Sequence, residues 1–303
     1  MLSVVIIFIS SLFFLGILNK TKAILAGRKG AGLLQPIYDI LRLLRKGSVF
    51  STQTSFVFQI APSIYLASIL LAACFIPFGD MPGLFSFPGD FIFFAYLLGF
   101  GKLFALWGAM DVGSSFEGMG ANREALYSML AEPAFFVVIG SFGVLANHTS
   151  FHEIFSNMHF GSPMTYLLGV LAAYVMVQVA MIENSRLPVN DPKTHLELTM
   201  IHEVMVLDNS GFDLGMIFYG SALKFSMYGM LITGFVLAPS LPIWAKIIIA
   251  FAIQFAFAVT AGILESFRAR ARMKRNPQIV FMLTTIGVLL FLGALVIRNK
   301  LSI

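Results

Sequence analysis

Charge is scarce in this chain. Only 12% of its 303 residues are Asp, Glu, Lys or Arg and 58% are hydrophobic, whereas an ordinary soluble domain is about 25% charged. An ordinary water-soluble fold is excluded. Cysteine is almost missing: Cys74 alone cannot make an intramolecular disulfide, a metal cage or an iron–sulfur ligand set, each of which needs several ligands. Redox chemistry at this protein therefore belongs to other chains. Runs such as Trp244 to Ala261 lack the in/out alternation of barrel strands, and no internal repeat suggests a transporter built from two related halves. No Gly-Lys-Ser/Thr tail follows Arg28-Lys29-Gly30-Ala31-Gly32, so a phosphate loop is not expected. No small-residue cleavage site closes the first apolar run, which reads as a true helix rather than a removable signal peptide. The net charge is +5, but the cations flank apolar runs without interleaved aromatic platforms, so membrane topology explains them better than nucleic acid does.

What the chain has in abundance is apolar sequence of helical length. Hydrocarbon about 30 Å thick needs about 20 residues of helix. By that measure the sequence predicts an all-α, polytopic membrane protein in one integral domain, residues 1–303. Eight spans are expected, near 3–19, 57–78, 91–110, 125–147, 163–183, 217–239, 243–265 and 279–297. Seven cations between Lys20 and Lys46, then Arg123, Arg186 and Lys193, then the five from Arg268 to Arg275 fall on one side. Arg298 and Lys300 stand opposite, and Lys102, Lys224 and Lys246 fall within spans. The basic side is cytoplasmic by the positive-inside rule, which puts both termini outside a cell inner membrane.

Three cytoplasmic segments are more than connectors. Residues 33–46 place Leu33, Ile37, Ile40, Leu41 and Leu44 on one stripe, with Asp39, Arg42, Arg45 and Lys46 largely opposite. That is an amphipathic interfacial helix, started at Gln35 and Pro36; it either rests on headgroups or docks a partner. The second segment, Asp111 to Glu124, joins the third and fourth spans and is polar enough to face water. The third, residues 184–216, carries Arg186, Asp191, His195, Glu197, His202, Glu203 and Asp208, and a loop of that length usually has a function. Its two histidines are seven apart and complete no familiar ligand spacing, so contact with a docked subunit is expected rather than a metal.

Ionisable groups inside the bilayer cost at least about 2.5–3.5 kcal/mol each, so they pair or line wet paths. Lys102, Glu132 and Lys224 lie about 10–12 Å in from the cytoplasmic side. Glu124, Glu183 and Glu265 sit at the mouths of their spans, and Asp111 closes the third. Glu132 precedes Pro133, which frees the carbonyl of Met129. Two readings stand open: a proton relay, or buried ion pairs that fix helix register.

Gly32-Leu33-Leu34-Gln35-Pro36 with Asp39 resembles the first cytoplasmic loop of the complex I membrane subunit that floors the quinone chamber. Glu183-Asn184-Ser185-Arg186-Leu187-Pro188 resembles its glutamate-x-asparagine-arginine-x-proline stretch. Gly120-Ala121-x-Arg123-Glu124-Ala125 through Glu132 resembles its third loop and following helix. The run from Pro188 to Thr199, continuing through His202 and Glu203, is similar to the corresponding subunit of hydrogenase-4 and formate hydrogenlyase-type complexes, the group-four nickel-iron hydrogenases. Where quinone-reducing members carry an acid-rich run after the proline, this chain has Asn190, Lys193 and His195.

The resemblance implies docking to hydrogenase-like large and small subunits and iron–sulfur proteins, which would hold the nickel-iron centre and the clusters, and to antiporter-like subunits in the membrane. No cofactor and no catalytic residue is expected here. Glu132 and Glu183 match acids of the entry channel, and Arg186 and Asp191 fall in the loop facing the redox module. The function expected is a non-catalytic anchor coupling electron transfer to proton translocation. The rivals are a quinone-binding subunit, a structural anchor and a stand-alone transporter.

Overall fold

In the computed structural model the described residues are 1–157, 163–187, 189–190, 200–237, 241–268 and 276–301. They form helices α1 (Leu2–Leu25), α2 (Gln35–Leu44), α3 (Phe56–Ala73), α4 (Asp90–Asp111), α5 (Ser115–Ala146), α6 (Phe151–Ser156), α7 (Pro163–Glu183), α8 (His202–Met205), α9 (Gly211–Val236), α10 (Ile243–Phe267) and α11 (Asn276–Leu301). Among the described residues there is no strand, only an isolated bridge between Phe78 and Met81. The protein is an all-α, multi-pass membrane protein.

Six helices, α1, α3, α4, α5, α10 and α11, are long and apolar enough to cross a membrane, and α7 carries a shorter apolar stretch, Leu167–Glu183. The sixth expected span is α9. It is 26 residues long, about 39 Å, and packs against α1, α2, α3, α7 and α10. Every residue from Ala222 to Thr233 is buried, Lys224, Ser226 and Thr233 included. A helix wrapped by other helices meets side chains rather than lipid, so it tolerates polar groups that a peripheral span would not. Ser226 Oγ bonds Ser10 Oγ of α1 and donates to the Ile7 carbonyl at 2.9 Å.

The segment from Asp111 to Glu124 departs from expectation. It is not an open connector, because α5 begins at Ser115 and runs for 32 residues, about 48 Å. Hydrocarbon takes about 30 Å of that length, so the first turns, carrying Glu117, Arg123 and Glu124, extend the helix beyond the apolar core. The second span is shortened instead: α3 ends at Ala73 rather than near residue 78.

α2 lies across the bundle end and is held by close approaches. A Cβ on Gly16 of α1 would meet the Leu33 carbonyl oxygen at 1.8 Å. Gly211, at φ +50°, opens α9 where a Cβ would meet the Gly47 carbonyl oxygen at 2.1 Å. Only glycine admits both the contact and the left-handed backbone at that position.

Candidate functional site

Three polar groups of α5 recur at i, i+4 and i+8, Glu124, Ser128 and Glu132, so they follow one ridge of the helix. Lys102 of α4, Glu183 at the end of α7 and Lys224 of α9 meet that ridge. Lys102 Nζ lies 3.0 Å from Glu124 Oε1 and 3.0 Å from Glu183 Oε2, and donates to Ser128 Oγ at 3.0 Å. Lys224 Nζ lies 3.0 Å from the same Glu183 Oε2 and donates to the Glu183 carbonyl at 2.8 Å. Ser128 donates to Glu183 Oε1 at 3.0 Å and Ser185 to Glu124 Oε2 at 2.5 Å.

Lys102 is 7% exposed, Glu124 5%, Glu183 8% and Lys224 1%. Two ammonium groups thus face two carboxylates out of water. Desolvation of four charges is repaid only because their signs balance and hydroxyls satisfy the remaining oxygen positions. Ser185 reaches Glu124 because the chain turns sharply after α7, with Ser185 at φ +50°.

Above this network, between α2 and the segment after α7, opens a chamber of about 510 Å³. Asp39, Arg186, His202 and Glu203 line it together with apolar Ile40, Leu43, Phe218 and Phe225. A smaller cavity of about 40 Å³ shares Asn184, Ser185, His202 and Asn209 with the chamber and reaches Lys102, Glu124, Glu183 and Lys224. A third, of about 20 Å³, runs from Glu183 and Ser128 to Glu132 and Tyr228. His202 is half-buried between chamber and network; desolvation pushes its imidazole below the usual value, against the pull of Glu124 and Glu203. The lowered value favours the neutral imidazole, which has one ring nitrogen able to donate and one able to accept.

The other expected residues divide. Glu132 lines the third cavity, yet its side chain is exposed on the outer face of the bundle, with no ion pair or hydrogen bond to any described residue. Glu265 belongs to a separate triad, 2.5 Å from Lys22 and 3.1 Å from Arg186, and the Arg186 guanidinium also covers the Phe225 ring at 5.5 Å. Asp111 stands apart from the network, since its carboxylate accepts from Ser55 N–H at 2.7 Å and Ser55 Oγ at 2.8 Å and ties the start of α3 to the end of α4. Gln35 donates to Asp39 along α2 at 2.9 Å, and Glu203 accepts from Asn190 at 2.8 Å. Asp191, His195 and Glu197 lie outside the described residues.

Ser128 and Asn209 are not among the residues expected from the sequence, and Asn184 and Ser185 enter there only within the stretch that carries the resemblance. The four-residue spacing of Glu124, Ser128 and Glu132 was the one signal that could have found Ser128.

Fold and site together define a membrane subunit: apolar helices around a neutral buried ion network, with a mostly apolar chamber, edged by Asp39, Arg186, His202 and Glu203, at one end. The chain matches, over residues 1–296, the family described as NADH dehydrogenase, and it belongs to that family. It is 28% identical to hydrogenase-4 component C of Escherichia coli (strain K12) over 73% of this chain and 69% of the relative. It is also 28% identical to formate hydrogenlyase subunit 4 of the same organism over 69% and 67%. A subunit of the NADH-quinone oxidoreductase of Syntrophotalea carbinolica is 27% identical over 67% and 63%. The fold is shared with a chain in the structure of the membrane-bound sulfane sulfur reductase, an archaeal respiratory membrane complex, with TM-score 0.81 at 20% identity over 97% of both chains.

Proposed function

We propose that this chain is the non-catalytic membrane subunit that seats a hydrogenase-like redox module over the chamber and couples its electron transfer to proton movement. The observation that carries this reading is a series of three cavities that share lining residues, the chamber and the next sharing His202 and the next two sharing Glu183, from the chamber past the Lys102–Glu124–Glu183–Lys224 network to Glu132. Buried acceptors without a partner among the described residues, Asn184 Oδ1 and Asn209 Oδ1, line the first step, and polar walls of this kind hold water.

In this reading the chamber end is cytoplasmic, in the inner membrane, and both termini lie outside. Hydrogenase-like large and small subunits with their iron–sulfur proteins carry the nickel-iron centre and clusters, since a chain with one cysteine supplies no cluster ligands. A charge change in the docked module shifts Arg186, His202 and Glu203 at the chamber wall, and the balance of the network follows. Glu132, facing outward, hands the proton to an antiporter-like neighbour. Mass spectrometry of the intact complex extracted in mild detergent is expected to find this chain bound to nickel- and iron-bearing subunits. Isolation as an active monomer would sink the proposal.

A second reading is favoured by the chamber itself, which lies between the Gln35 helix and the Asn184 loop as quinone binding requires. A photoreactive quinone analogue should then label Arg186, Phe218 or Phe225, and unlabelled quinone should compete. Label spread over the lipid-facing helices would remove that reading.

A further inference from the structure

α2 is a partition with a cavity on each edge. Asp39 and Leu43 face the chamber, whereas Ile37, Leu41 and Leu44 face a second groove of about 180 Å³, walled by Ser11, Leu12 and Leu15 of α1 and Tyr219 of α9. Pro36 and Ile40, with Leu15 of α1, belong to both. The groove is almost wholly apolar and open: Leu12 is 37% and Leu41 44% exposed. From the level of Gly16, on which the α2 approach is seated, it descends to Ser11, about 8 Å further into the span.

The groove's outer lip is cationic. At about 100° per residue, Arg45, which caps the helix, stands about 40° past Leu41 around α2 and Arg42 about 100° past it, while Lys46 follows beyond the helix end. All three are exposed. The first 79 residues carry Lys20, Lys22, Arg28, Lys29, Arg42, Arg45 and Lys46 against the single acid Asp39. Asp39 faces the chamber and is bonded to Gln35, so it does not neutralise the lip. An apolar slot descending into a membrane span beneath a positive rim matches an amphipath with an anionic head and a hydrocarbon tail.

We propose that this groove holds an acyl chain of an anionic phospholipid whose phosphate is bound by Arg45 and Arg42, bracing α2 from the edge opposite the chamber. Arginine suits the role because its planar fork meets phosphate oxygens two at a time. Through the shared Pro36 and Ile40, lipid charge then governs the position of one chamber wall, whatever docks there.

The test is native mass spectrometry of the purified full chain offered equal amounts of phosphatidylglycerol and phosphatidylcholine with identical acyl chains. Phosphatidylglycerol should be retained at least about fivefold over phosphatidylcholine, and the double variant Arg42→Gln/Arg45→Gln should lose retention about 25-fold, at roughly fivefold per cation near an anionic head. Arg45→Lys should keep most of the binding, Leu41→Trp should fill the slot and abolish it, and Arg298→Gln at the chain's far end should change nothing. Equal retention of the two lipids, or retention unaffected in the double variant, overturns the assignment. So does displacement of phosphatidylglycerol by an equimolar quinone, which would give the groove to that ligand.

Discussion

Replacing Glu183 by Gln is expected to destabilise the bundle by about 3–5 kcal/mol, the usual result of removing one partner from a buried ion pair. Glu183 is the hinge of the network: its Oε2 lies 3.0 Å from both Lys102 Nζ and Lys224 Nζ. With the amide in place, Lys102 keeps Glu124 at 3.0 Å, whereas Lys224 loses the one carboxylate it pairs with among the described residues. Against the 5–15 kcal/mol typical of a folded domain, a loss of about 4 kcal/mol is a large fraction. The charge argument makes a second, sharper prediction. Glu183→Gln combined with Lys224→Met restores neutrality and should recover about 2 kcal/mol or more, a non-additivity expected of residues in direct contact. Thermal and denaturant unfolding in detergent measure both. Wild-type stability in the single variant would mean that the network is not a closed set of charges.

Glu132→Gln should behave in the opposite way. Its carboxylate has no ion pair or hydrogen bond to any described residue and its side chain is exposed, so stability and assembly should change within about 0.5 kcal/mol. Proton translocation should fall at least about tenfold, because the amide is nearly isosteric and cannot carry the proton, and positioned acid–base groups contribute on the order of 100-fold or more. A pH-sensitive dye in inverted vesicles reads translocation, and the electron-transfer rate of the same vesicles provides the comparison. Unchanged proton movement removes Glu132 from the path. Loss of assembly with coupling intact favours the structural-anchor reading instead.

The helices themselves were legible. Long apolar runs place α1, α3, α4, α10 and α11 nearly where the sequence predicts them, because hydrocarbon imposes length and composition on any helix that it touches. The Gln35–Pro36 start of α2 is equally local, since proline at the first turn costs no internal hydrogen bond. The start of α5 was misread: Gly118, Gly120 and the charges from Asp111 to Glu124 look like a polar connector. Tertiary contacts override that propensity, with Glu117 Oε1 accepting from Asp208 N–H at 3.2 Å and Arg123 donating to the Met200 carbonyl at 3.3 Å.

The site was legible as a set of residue types, not as an arrangement. The cost of a charge in lipid marks Lys102, Glu132, Glu183 and Lys224 from sequence alone. It does not say which meet. Lys102 and Glu183 are 81 residues apart and in contact, while Glu265, also a glutamate near the end of its helix, joins Lys22 and Arg186 in a different triad.

By itself, then, the sequence determined the medium, the helix lengths and the presence of ionisable groups that need partners, since each follows from free energies of transfer that act residue by residue. Which cation balances which acid, which acid is left facing outward, and that α2 parts a chamber from a groove were decided only when α9 was enclosed by its neighbours. Those relations depend on helix rotation and on contacts between segments far apart in the chain, and short-range sequence pattern carries neither.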